Sequence, residues 1–229
     1  MKKLSLTILL ISVFIFSGCE KEKDNFVPDA ICDVYVKAIK DEGKTKYALF
    51  ARTFANFGIK SASVKTPDNK IKELTKRNNI PNIFDYYKDN IEAYSEVVPT
   101  KGNYTFTVTT NDDINISRVN QLNENIADFP VISSCKITDN SLNVTWDENE
   151  DTDFYILNLY AQDKTLIFSN EFIKNSQTIN INNNSKGWYT DKKLADAFSV
   201  KLMAAKFDNK LKPSLYLIQS ITETSKNIE

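Results

Sequence analysis

Lys101-Gly102-Asn103-Tyr104-Thr105-Phe106-Thr107-Val108-Thr109 alternates with a period of two after a Gly-Asn turn. Tyr104, Phe106 and Val108 point one way and three threonines the other. That pattern is an antiparallel strand with one face in a core and the other in water. Upstream, residues 32–39 and 47–54 alternate in the same manner. Thr66-Pro67-Asp68-Asn69 puts proline at the second position of a type I turn, between extended segments at 61–64 and 70–74. Residues 82–98 are mixed: Ile83, Tyr86, Tyr87 and Ile91 fall near helical spacing, whereas 94–98 reads as extended. The long helical elements that βαβ units require are missing.

Composition turns polar over 120–128, and Phe129-Pro130 opens a second unit. Ser141-Leu142-Asn143-Val144-Thr145-Trp146 turns Leu142, Val144 and Trp146 inward. Tyr155-Ile156-Leu157-Asn158-Leu159-Tyr160, residues 176–181, Phe198-Ser199-Val200-Lys201-Leu202-Met203-Ala204-Ala205 and residues 215–221 continue the series.

The turn, Gly-x-Tyr and alternating run at 101–109 resemble strand F of an immunoglobulin-like sandwich, where the tyrosine sits at a corner. The later series resembles strands B, C, E, F and G of a fibronectin type III domain, with Trp146 as the strand-B tryptophan and Phe198 in place of the usual strand-F tyrosine. The connection at 182–196 is longer than that family's and carries Lys186-Gly187-Trp188-Tyr189. The resemblance implies an all-β chain of two tandem antiparallel β-sandwiches, immunoglobulin-like over 29–128 and fibronectin type III-like over 129–229.

The N-terminus has three zones. Met1-Lys2-Lys3 is basic, residues 4–16 are apolar apart from Ser5, Thr7 and Ser12, and Ser17-Gly18-Cys19 is small. The apolar run is too short to span about 30 Å of hydrocarbon, which marks a secretory signal. Phe16-Ser17-Gly18-Cys19 resembles the lipobox of bacterial lipoproteins. The resemblance implies cleavage of residues 1–18, a lipid on Cys19 and a tether over 19–28. Two or three acyl chains hold firmly where one holds marginally. Glu20-Lys21-Glu22-Lys23-Asp24 reads either as a solvated tether or, by resemblance, as the acidic export signal of surface-exposed lipoproteins in certain Gram-negative bacteria. Glu20, not Asp, follows the cysteine, which points away from inner-membrane retention. The expectation is an outer-membrane anchor facing outward, with a periplasmic face as the alternative. Nothing later in the chain is apolar enough to be a second membrane segment.

Twenty-nine basic residues against 30 acidic ones offer no basic patch of the kind nucleic acid demands. The complete absence of histidine removes Ser-His-Asp and Cys-His catalysis and histidine-ligated zinc or haem. Carboxylate-pair glycoside hydrolysis survives that exclusion, but no two acids sit in a context that singles them out. The chain is read as non-catalytic and without a cofactor. Cys32 and Cys135 alternate with apolar residues, as buried thiols on inner strand faces do, although an oxidising compartment also permits a bridge.

Ligand contact is expected at two aromatic groups, each weighed against simple packing. Trp188 and Tyr189, in a loop rich in Asn, Ser and Lys, could stack on a sugar or fold back on the sandwich edge. Tyr86 and Tyr87, with Tyr94, form the second group. Asp147-Glu148-Asn149-Glu150-Asp151-Thr152-Asp153 could gather oxygens around Ca²⁺ but lacks the glycine and spacing of an EF-hand; Asn111-Asp112-Asp113 is weaker still. No metal site is assigned. The functional expectation is adhesion-type binding of a glycan, a host surface protein or another subunit of an envelope complex through sandwich loops. The alternative is a structural spacer or accessory subunit with no ligand of its own.

Overall fold

The computed structural model describes residues 27–229 apart from 79, 87–92, 124, 190 and 209–216. Their regular structure is β throughout, save 3₁₀ turns at Ala93 and at Leu194–Asp196. The lipobox residues Phe16, Ser17, Gly18 and Cys19 lie outside the described residues, as does Tyr87. Among the described residues no helix is long and apolar enough to cross a membrane.

The first run of strands is β1 (Ala30–Asp41), β2 (Lys44–Ala55), β3 (Ile59–Lys65), β4 (Ile71–Lys76), β5 (Ile83–Tyr86), β6 (Gly102–Thr110) and β7 (Asn115–Leu122). The order β1-β2-β5-β4-β3-β6-β7 curls so that β7 packs across β1, where the Asn120 side-chain oxygen accepts from the Val34 amide at 3.3 Å. The alternation at 101–109 is realised: Tyr104, Phe106 and Val108 are at most 1 % exposed and share a core with Cys32, Val34, Val36 and Val64. The Tyr104 hydroxyl donates to the Thr100 carbonyl at 2.7 Å, which is the tyrosine-corner bond expected of strand F.

The second run is β8 (Ile132–Thr138), β9 (Ser141–Trp146), β10 (Phe154–Ala161), β11 (Leu166–Ile173), β12 (Thr178–Asn182), β13 (Ala197–Phe207) and β14 (Ile218–Asn227). The sheet β12-β9-β8 faces β11-β10-β13-β14, the pairing of a fibronectin type III sandwich. Leu142, Val144 and Trp146 are buried between them with Leu157, Leu159, Val200 and Leu202. Cys32 and Cys135 are free thiols buried in separate cores, as their alternation predicts. Burial pushes both thiols up to about 11.

One feature departs from two independent antiparallel sandwiches. β14 pairs on one side with β13 and on the other, in parallel, with β1: Val36 lies beside Ser220, Lys37 beside Ile221 and Ile39 beside Glu223. The two sandwiches therefore share an eleven-stranded sheet. The polar linker is stitched to the same strand. The Asn123 amide donates to the Gln219 side chain at 2.9 Å, the Ala127 amide to the Ser220 hydroxyl at 2.8 Å, and the Thr222 hydroxyl to the Asp128 carbonyl at 2.8 Å. Gln219, Ser220 and Thr222 are buried, and these bonds satisfy side chains that would otherwise be costly there.

The seam carries paired charges as well. Asp33 is fully buried and accepts from Arg52 at 2.8 and 3.0 Å and from the Ile218 amide at 3.4 Å. Glu223 bridges Lys37 of β1 at 2.9 Å and Lys201 of β13 at 3.0 Å.

Parallel pairing fixes orientation. β1 and β14 both run from the end where the chain enters, near Val27, towards the opposite end. The sandwiches consequently stand side by side and point the same way. The turns at 42–43 and 66–70, the segment 95–101, the loop at 162–165 and residues 183–189 all lie at this distal end.

Candidate functional site

At the distal end of the first sandwich the inward-facing positions outrun the packed core. Val64 and Tyr104 are buried, but Tyr47 on β2, Tyr86 on β5 and Lys72 on β4 are only half-buried. The space left between the sheets is a groove of about 440 Å³.

Local sequence builds its walls. In the 66–70 turn the Asn69 amide donates to the Thr66 carbonyl at 2.9 Å and the Thr66 amide to the Lys70 carbonyl at 2.8 Å. Asn69 takes a left-handed φ of 63°, which asparagine tolerates. The turn packs on the start of β6, where a side chain at Gly102 would meet Pro67 at 3.2 Å and φ is 130°. Opposite, Tyr47 and Ser95 exchange two backbone hydrogen bonds, of 2.7 and 2.9 Å. These pin the segment that carries Val97, Val98 and Pro99 along the rim. Val97 is 75 % exposed.

The groove's charges are arranged in pairs with one exception. Asp68 contacts Lys70 at 2.7 Å and accepts from the Thr66 hydroxyl. Lys70, and then Thr66, pull the Asp68 carboxyl down to about 2, so it is ionised at any physiological pH. The Lys72 ammonium sits 5.4 Å over the Tyr86 ring, a cation–π contact that holds both groups at the rim. Asp68 is the single carboxylate among the described lining residues.

The expected site residues divide. Tyr86 lines the groove. Tyr94 is buried, packed with Ala48 and Phe50 beneath the rim. Trp188 and Tyr189 also lie towards the distal end, but on the second sandwich. The Trp188 indole N–H donates to the Asn182 carbonyl at 3.1 Å, and its ring meets Phe168 edge-on at 5.0 Å. That is the folded-back arrangement, and it commits the polar handle of the ring. Tyr189, 61 % exposed, is the aromatic that this loop leaves open to solvent. Tyr47 and Lys72 were not among the sequence candidates; only the β2–β5 and β4–β5 pairings bring them to Tyr86.

The acidic stretch 147–153 lies at the proximal end. There Asp151 pairs with Lys206 at 3.0 Å and Asp153 accepts from the Phe207 amide at 2.7 Å. Among the described residues no three carboxylate, thiol or imidazole groups converge as a metal site would require, and Asn111-Asp112-Asp113 is no exception.

No family model matches the chain, and no curated protein does. Solved structures do match. One is the BSP domain of a biofilm-associated protein, at 10 % identity and a TM-score of 0.26, covering 85 % of this chain and 29 % of that one. A second is a tetra-tandem repeat from the extending region of a large adhesion protein, at 9 % identity and 0.22, covering 87 % and 50 %. A third is SGBP-B of the Bacteroides ovatus mixed-linkage glucan utilization locus, in complex with a mixed-linkage heptasaccharide, at 10 % identity and 0.18, covering 87 % and 60 %. This chain thus spans less than two thirds of each of those chains. Its all-β architecture stands on the strands and cores described above rather than on these scores.

Proposed function

We propose that the chain is a lipid-anchored, non-catalytic cell-envelope protein at the outward face of the outer membrane, binding a glycan in the distal groove of its first sandwich. The observation that carries this reading is the position and lining of the groove. Tyr47 and Tyr86 supply flat apolar surface, while Asp68, Lys70, Ser95 and Thr66 supply donors and acceptors beside it. Aromatic faces flanked by a few polar groups suit a sugar, whose ring has one apolar face and an equatorial belt of hydroxyls.

The lipobox at Phe16-Ser17-Gly18-Cys19 supports the anchor. Seven residues separate Cys19 from Val27, eight steps along the chain with a reach of at most about 28 Å. A tether that short turns the proximal end towards the membrane and leaves the distal rims of both sandwiches facing away. Side-by-side sandwiches add little height, which favours display of a binding rim over a spacer role. Glycoside hydrolysis would need two carboxylates facing one another, and among the described residues the groove offers one, already paired with Lys70.

The test is capture of soluble residues 20–229 on immobilised bacterial and host polysaccharides, with Tyr86→Ala and Trp188→Ala in parallel. The reading expects capture by at least one polysaccharide, lost in Tyr86→Ala and kept in Trp188→Ala. Loss only in Trp188→Ala would move the site to the 183–193 loop. No capture at all would leave an envelope-protein partner or a spacer as the function. Palmitate labelling of the full chain, abolished by Cys19→Ala, tests the anchor separately.

A further inference from the structure

On the glycan reading just given, we infer that the ligand is an anionic glycan whose carboxylate or sulfate group is held by Lys72. The argument begins with the charge pairing of the distal rim. Lys44 pairs with Glu96 at 2.6 Å, Lys46 with Asp41 at 2.5 Å and Lys70 with Asp68 at 2.7 Å. Each of these ammonium groups already has its carboxylate. Lys72 stands on the same rim and lines the groove, and among the described residues no carboxylate pairs with it. Its neighbour is the Tyr86 ring, which orients the ammonium without neutralising it.

A half-buried lysine held against an aromatic face has surrendered part of its hydration and much of its rotamer freedom. An anion entering the groove would therefore meet a donor already in place, and a charge-assisted hydrogen bond there is stronger than one between neutral partners. The charge of the described lining residues agrees: Asp68 cancels Lys70, and Lys72 leaves them one unit positive in a chain that is negative overall. Tyr47, across the groove, supplies apolar surface for the sugar that carries the anion. Acidic polysaccharides satisfy both demands at once, and a neutral glucan satisfies only the second.

The experiment titrates residues 20–229 with three oligosaccharides of equal length: an oligogalacturonate, a sulfated oligosaccharide and a neutral one. It compares the unmodified protein with Lys72→Gln, Lys72→Arg and, as a proximal-end control, Lys60→Gln. The expected result is preferential binding of one anionic oligosaccharide, weakened by added salt, about tenfold weaker in Lys72→Gln and largely restored in Lys72→Arg. Lys60→Gln should match the unmodified protein. Which anionic oligosaccharide binds decides between carboxylate and sulfate. Equal binding of the neutral oligosaccharide, or anionic binding indifferent to Lys72→Gln, overturns the inference and leaves the glycan reading standing. Failure of all three alongside an empty polysaccharide panel overturns both.

Discussion

Val36 in the first strand lies beside Ser220 in the last, in parallel register. Parallel neighbours cannot be joined by a tight turn; here the connection between them is almost the whole protein. The pairing has two consequences. Neither sandwich is complete at its edge without the other, and both are held pointing in one direction, so that Tyr86 and Tyr189 lie towards the same end of the molecule.

A shared sheet predicts shared unfolding. Both tryptophans, Trp146 and Trp188, report on the second sandwich, and the buried Cys32 thiol reports on the first. In a Cys135→Ala background, tryptophan fluorescence and Cys32 labelling should lose their native signals at one urea concentration. Two well-separated midpoints would mean that the seam contributes little.

Acidity should act on the seam through Asp33. Burial is the largest influence and pushes this carboxyl from 3.8 up to about 6, against the pull of Arg52 and the Ile218 amide, with Asp208 adding to the rise. A raised carboxyl pKa means that the folded chain holds the proton more tightly than the unfolded one. The stabilising contribution is complete below about pH 4 and is lost as pH climbs through about 6. Relative to Asp33→Asn, which cannot titrate, the unmodified protein should gain up to about 3 kcal/mol of unfolding free energy between pH 7 and pH 4. Urea titrations of both proteins at several pH values give the difference directly. A flat difference would show that Asp33 does not titrate in this window.

The 183–193 loop should prove structural at Gly187 and Trp188. Gly187 has a φ of 119°, and a methyl group there would lie 2.3 Å from the Ser169 carbonyl oxygen. Gly187→Ala should cost about 2 kcal/mol or more. Trp188→Ala removes the Phe168 contact and should cost about 2 kcal/mol for a half-buried ring. Urea midpoints measure both. A Trp188→Ala protein as stable as the unmodified one would show that the ring is not needed to close the sandwich edge.

Much of this fold is legible in the sequence because a half-buried strand writes its burial as alternation. The runs at 101–109, 141–146 and 155–160 are strands, the first two with the expected inner faces, and Tyr104 makes its corner bond. The seam is not legible. Residues 215–221 read as strand G of the second sandwich and announce no second neighbour, because the partners of the polar side chains at Gln219, Ser220 and Thr222 are backbone groups of a linker some 95 residues away. The groove was half legible. Tyr86 stood out as one of a cluster of tyrosines, whereas Tyr47 and Lys72 reach it only through strand pairing that spacing along the chain does not encode. Trp188 drew attention by composition, and geometry turned it inward.

The adjacency of the first and last strands is tested most directly by a cysteine pair, Lys37→Cys with Ile221→Cys. These positions are register partners on one face of β1 and β14, and neighbouring Cα atoms in a sheet fall within the roughly 4.4–6.8 Å that a disulfide spans. Mild oxidation of residues 20–229 should close this bridge within one molecule, producing a large mobility shift on a non-reducing gel that either single substitution lacks. Thiols that stay reduced, or that pair only between molecules, would contradict the shared sheet and with it the common orientation of the two distal rims.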